Sequence, residues 1–258
     1  MKAAPIRPPW IIAHRGARDE APENTCSAFE RALTYPIHGI ELDVQMSRDG
    51  GMVIHHDWTL RRLSGDKRNL FEMDREELAA LDWGGWFDPD FAGEPMPMLD
   101  EVLRRLGPRT RWMIEIKSHP AEQASGRIGR LTEKVLAVID AHARAIGPDR
   151  LHVLSFDPEV LRHAARLAPQ WRYVLNLPQR ASDAGIMGND KGTSHLWAVD
   201  QQIGKLSADL VQWAHGAGLK VFTYTCNTPR QVRKAMDLGV DAVITDRPGW
   251  LCRYFQRR

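Results

Sequence analysis

Short runs rich in apolar and β-branched residues recur along this chain, and most are followed by a stretch with apolar residues at helical spacing. A chain that alternates in this way is directed toward a parallel sheet whose crossovers are helices. Strands are expected at 10–13, 39–46, 112–117, 151–155, 173–177, 197–199, 220–225 and 240–245, with 52–55 extending the second beyond the Asp49-Gly50-Gly51 turn. Helices are expected at 24–35, 99–106, 127–145, 158–167, 207–217 and 229–238, where Ser207 suits an N-cap and Gly218 lies just past a helix end. Eight βα units in 258 residues fit one α/β domain spanning 1–258, a closed (β/α)8 TIM barrel.

Two stretches break the rhythm. Residues 58–97 are punctuated by glycine and proline, with one helical piece near 74–81, and read as a small insertion after the second strand. Residues 179–194 read as a long loop. At 43% hydrophobic, the chain is too apolar to be disordered. Its 35 Lys+Arg nearly balance 33 Asp+Glu, which removes any global electrostatic case for nucleic acid. The longest apolar runs are far short of the ~20 residues that cross a bilayer, and MKAAPIRPPW lacks the apolar core of a signal peptide. Stable membrane insertion is therefore not expected. Cys26, Cys226 and Cys252 are scattered, which argues against a disulfide framework or a cysteine zinc site and for a reducing, cytoplasmic setting. Composition sets no oligomeric state.

The chemistry concentrates in two strands. In Ile40-Glu41-Leu42-Asp43-Val44, alternation sends the apolar residues to one face and both carboxylates to the other. In a barrel the apolar face packs on helices, so Glu41 and Asp43 point inward. Ile114-Glu115-Ile116-Lys117 repeats the pattern, aiming Glu115 and Lys117 inward. Three converging carboxylates repel and lose hydration unless a cation compensates, and hard oxygen ligands suit Mg²⁺ or Ca²⁺. The competing reading, a solvated face of an antiparallel strand, fits either strand alone but not the pair within a βα-repeat chain. His14-Arg15-Gly16 and His55-His56-Asp57 follow strands, where barrel enzymes carry catalytic groups. His14 and His56 would move protons on either side of a phosphodiester, with Arg15 and Lys117 neutralising its oxygens. His38, His119, His142, His152, His163, His195 and His215 read as structural or merely exposed.

HRG at 14–16, APENT at 21–25, ELDV at 41–44, HHD at 55–57, EIK at 115–117, SFD at 155–157 and GVDAVITDRP at 239–248 form an ordered set spanning almost the whole chain. By these motifs the sequence resembles the glycerophosphodiester phosphodiesterases. The resemblance implies a (β/α)8 barrel with an insertion after the second strand, matching 58–97. It also implies Glu41, Asp43 and Glu115 as metal ligands, His14 and His56 as the acid–base pair, and Arg15 and Lys117 as phosphate contacts. Glu23 and Asn24 are expected to shape the same pocket. The implied reaction is metal-dependent hydrolysis of small glycerophosphodiesters, such as glycerophosphocholine or glycerophosphoethanolamine, to sn-glycerol 3-phosphate and an alcohol. The alternative is a lysophospholipase D-like activity at the same site, for which Trp83, Trp86, Phe87 and Phe91 would supply an apolar entrance; the preferred reading of these aromatics is that they cap the barrel rim. Where the family usually has a Trp in V-x-x-W-T-x-N, this chain carries Tyr224, so the wall there is expected to be smaller and more polar. Asp246-Arg247-Pro248 is expected to close the barrel and cap the last helix.

Overall fold

A computed structural model describes residues 8–177 and 193–257 of the chain. Strands β1 (Trp10–His14), β2 (Gly39–Met46), β4 (Arg111–Ile116), β5 (Leu151–Ser155), β6 (Arg172–Asn176), β7 (Ala198–Gln202), β8 (Lys220–Tyr224) and β9 (Ala242–Thr245) pair in parallel. Pairing of β1 with both β2 and β9 closes the sheet into the expected eight-stranded barrel. Helices α1 (Cys26–Ala32), α4 (Leu99–Leu106), α6 (Arg127–Ile146), α7 (Pro158–Leu167), α8 (Ala208–Gly216), α9 (Pro229–Leu238) and α10 (Pro248–Gln256) connect or follow the strands, with a short α5 (Pro120–Ala124) before α6. All but the last two residues of the 179–194 segment, and residues 1–7 of the N-terminus, lie outside the described residues.

Residues 52–55 are not an extension of the second strand. Met52–Ile54 forms β3, which folds back antiparallel along β2 with Val44 opposite Ile54. The reversal is built by Ser47, whose hydroxyl accepts from Gly51 N at 2.8 Å and donates to Asp49 at 2.6 Å, while Gly50 takes φ 89°. Helix α1 also starts later than expected. Asn24 adopts φ 61°, and Thr25 caps the helix by accepting from Ala28 N at 3.2 Å.

Strand alternation separates two cores. Ile40, Leu42 and Val44 point outward into the large core shared with the helices, as do Ile114 and Ile116. Ile12, Met113, Leu154, Val174 and Phe222 fill the barrel interior as a separate cluster. Above that apolar plug, at the C-terminal ends of the strands, the inward positions become polar, which confines the chemistry to one end. The insertion contains α2 (Arg61–Ser64) and α3 (Arg75–Ala79) and packs its own small core of Leu60, Leu70, Met73, Leu78 and Trp83 against Val53 of β3. Trp83 is thus a buried core residue, its indole N–H donating to Leu78 O at 2.9 Å. Trp86, Phe87 and Phe91 pack ring against ring and are only partly exposed.

Candidate active site

The register of β2 sets the centre. Its neighbours place His14 beside Glu41 on one side and Glu115 beside Asp43 on the other. His14 is the last residue of β1, and the chain then turns sharply through Arg15 at φ 56° and Gly16 at φ 86°. Arg15 N donates to Glu41 O at 2.9 Å, and a Cβ on Gly16 would lie 2.7 Å from the Ala28 backbone. Only glycine fits that approach at that φ.

Glu41, Asp43 and Glu115 are all buried, and each offers a carboxylate oxygen within 4.8 Å of the others. Two cations serve this cluster. Arg15 Nε lies 3.1 Å from Asp43, while Lys117 Nζ lies 2.9 Å from Glu115 and 3.4 Å from Asp43. Burial opposes the charge on Asp43, but Arg15 and then Lys117 outweigh it and hold this carboxyl well below its usual range. Burial likewise opposes the Lys117 charge, and Glu115 with Asp43 overcomes it, so the ammonium stays protonated. Glu41 has no lysine or arginine side-chain nitrogen within ion-pair distance among the described residues, although the Arg15 backbone N–H donates to its Oε2 at 3.2 Å. Burial, then Asp43 and Glu115, push its carboxyl well above the ordinary value. A cluster one positive charge short, with only oxygen donors, fits a hard divalent cation.

Each candidate histidine is held by an aspartate at Nδ1. Asp246 lies 2.6 Å from His14 Nδ1, leaving Nε2 toward Glu41 at 3.9 Å. Asp246 is fixed in turn by Asn227 Nδ2 at 2.6 Å. Burial, then Arg15, lowers the His14 pKa despite the aspartate. His56 Nδ1 bonds Asp57 at 2.8 Å, and Arg62 holds the other Asp57 oxygen at 2.9 Å. His14, Arg15, Glu41, His56 and Glu115 line one cavity of about 280 Å³. Lys117 borders an adjoining cavity that shares Glu115 and Phe156 with the first.

Glu23 and Asn24 sit behind this front row. Glu23 binds Arg15 at 3.0 Å, Arg18 at 2.7 Å and Arg62 at 2.7 Å, and so braces the guanidinium that reaches Asp43. Asn24 donates to Asp43 at 2.9 Å. Tyr224 ends β8 and lines the cavity, its ring perpendicular to Phe156 at 6.3 Å; burial, then Asp200 and Glu115, push its phenol up.

Several residues at the site were not singled out from the sequence as part of it. Asp246, expected only to close the barrel and cap a helix, orients His14; the cap position of α10 is Arg247. The available signal was its place one residue past the last strand, the same argument that selects His14. Asn176 and Asp200 also line the cavity from β6 and β7. Burial, then Glu115, pushes the Asp200 carboxyl well up.

A sequence profile of the glycerophosphoryl diester phosphodiesterase family matches residues 14–250. A glycerophosphodiester phosphodiesterase of Caldanaerobacter subterraneus subsp. tengcongensis is 30% identical over 239 residues, 92% of this chain and 94% of its own length. The crystal structure of a glycerophosphodiester phosphodiesterase from Agrobacterium tumefaciens is 28% identical, covering 95% of this chain and 99% of its own at a TM-score of 0.76. An Oleispira antarctica phosphodiesterase, solved with the product sn-glycerol-3-phosphate, is 26% identical and covers 96% of this chain and 97% of its own at a TM-score of 0.84. The barrel closure and the motif order agree with these likenesses, and this chain belongs to the glycerophosphoryl diester phosphodiesterase family.

Proposed function

We propose that this chain hydrolyses small glycerophosphodiesters, such as glycerophosphocholine or glycerophosphoethanolamine, to sn-glycerol 3-phosphate and an alcohol. The observation that carries the reading is one cavity edged by both aspartate-held histidines and by Glu41 and Glu115, which cluster with the buried Asp43. Those three carboxylates would hold the divalent cation, Mg²⁺ or Ca²⁺. When bound, such an ion neutralises phosphate charge and makes phosphorus more electrophilic.

Arg15 and Lys117 would neutralise the remaining anionic oxygen, the guanidinium as a fork and the ammonium as a point charge. With Nδ1–H donated to Asp246, His14 Nε2 keeps its lone pair and takes the proton of the nucleophile. His56, held by Asp57, gives a proton to the leaving alkoxide. The nucleophile is water or the neighbouring glycerol hydroxyl, and oxygen-18 water with a search for a transient cyclic phosphate separates the two routes.

The cavity size and acidic lining support a compact polar diester over a lysophospholipid. The insertion aromatics are packed among themselves, and Phe156 and Leu167 are the exposed large apolar residues among those described. A cytoplasmic setting belongs to the same proposal, supported by free Cys26, Cys226 and Cys252. No helix among the described residues is long and apolar enough to cross a membrane. Assay of glycerophosphocholine with and without EDTA tests the reading: turnover that chelation abolishes is expected, and no turnover with any divalent ion would refute it.

A further inference from the structure

The floor of the cavity carries two acceptors that no group among the described residues uses. Asn176 ends β6, and its register partner on β7 is Asp200, so the two side chains project side by side into the barrel. Both are buried, 3% and 2% exposed, and both line the cavity. Asn176 Nδ2 donates to Glu115 Oε2 at 3.0 Å, which fixes the amide and turns Oδ1 away from the carboxylate. Asn176 Oδ1 and Asp200 Oδ1 have no hydrogen-bond partner among the described residues. The apolar plug that includes Val174, Ala198 and Phe222 shuts this end from beneath. A buried acceptor without a donor is costly, and folds keep such groups where a ligand completes them.

We propose that Asp200, assisted by Asn176, is a specificity-determining residue whose open oxygen binds a hydrogen-bond donor of the substrate, a hydroxyl or a primary ammonium. The inference rests on the phosphodiesterase reading and assigns the closed end of that site. The donor comes either from the glycerol hydroxyls or from an alcohol such as ethanolamine. A quaternary ammonium has no N–H to offer.

The test uses Asp200→Leu, which removes the acceptor at similar size and suits the neighbouring apolar plug. Steady-state kinetics are run on glycerophosphoethanolamine, glycerophosphocholine and the donor-free methyl p-nitrophenyl phosphate. KM for glycerophosphoethanolamine is expected to rise about tenfold or more, with the donor-free diester within about twofold. An equal rise for glycerophosphocholine identifies the glycerol hydroxyls as the donor, and an unchanged value identifies the ammonium. Removing an unsatisfied buried carboxyl is also expected to raise Tm by about 2–4 °C. Asp200→Asn, which keeps an acceptor oxygen in the same outline, is expected to hold KM within about threefold. Unchanged KM on every substrate, or an equal loss on all three with a lowered Tm, overturns the assignment. A wild-type enzyme inactive on all three diesters instead refutes the phosphodiesterase reading, and this inference with it.

Discussion

Asp246 Oδ1 lies 2.6 Å from His14 Nδ1, joining the end of β9 to the end of β1 across 232 residues of sequence. This contact sets which imidazole nitrogen carries the lone pair at the cavity. Burial opposes the Asp246 charge, but the bond and charge of His14, then Arg18, hold its pKa down at about 2, so it remains an acceptor in neutral solution. Asp246→Asn is expected to lower kcat by about 10²–10³-fold with KM nearly unchanged, because the wrong tautomer is presented. Steady-state kinetics at saturating metal check this.

The three carboxylates should make stability depend on divalent ions. Adding Mg²⁺ or Ca²⁺ to EDTA-treated protein is expected to raise Tm, since a ligand at 100 times its Kd stabilises by about 2.7 kcal/mol. Glu41→Gln should shrink that shift, because Glu41 is the member of the cluster with no Lys or Arg side-chain ion pair among the described residues. Thermal melts across a metal titration measure both effects.

His152 supplies an acid limb. Its ring packs between Trp197 at 4.8 Å and Trp10 at 6.2 Å, and burial, then Arg172 and Arg111, lower its pKa to about 3. The unfolded chain therefore takes up a proton between about pH 6.5 and 3 that the native state refuses. The associated stability is present above about pH 6.5 and lost as pH falls through that window. Denaturant unfolding from pH 7 to 4 should show a shallower decline for His152→Phe than for the wild type.

Gly16→Ala places a methyl 2.7 Å from the Ala28 backbone at φ +86°. A destabilisation of about 2 kcal/mol or more is expected, together with reduced activity because the HRG turn carries Arg15 to Asp43. Chemical denaturation provides the measurement.

Much of this was legible in the sequence, for a local reason. Period-two alternation in 40–44 and 114–117 fixes which side chains face inward, and barrel closure then brings Glu41, Asp43 and Glu115 together. The return of β3 was missed because a β-rich run after a glycine turn reads alike whether the chain extends or doubles back. Here Ser47 and Asp49 decide the reversal through short side-chain bonds. Asp246 had a local signal in its place after the last strand, but its hold on His14 arises only when the barrel closes; Asn176 and Asp200 carry no local pattern, and their meaning comes from neighbouring strands of the folded barrel. Glu23 and Asn24 were legible as neighbours of the site, but their bracing of Arg15 and Asp43 arises only in the folded barrel.

The division of labour between the histidines is tested most directly by changing the leaving group. His56→Ala should lose about 10²–10⁴-fold in kcat/KM on glycerophosphocholine and recover most of it on a p-nitrophenyl glycerophosphodiester, whose phenolate departs without a proton. His14→Ala should remain impaired on both. Near-wild-type turnover of either variant on glycerophosphocholine, or equal impairment of His56→Ala on both substrates, would contradict the assignment of proton carriers.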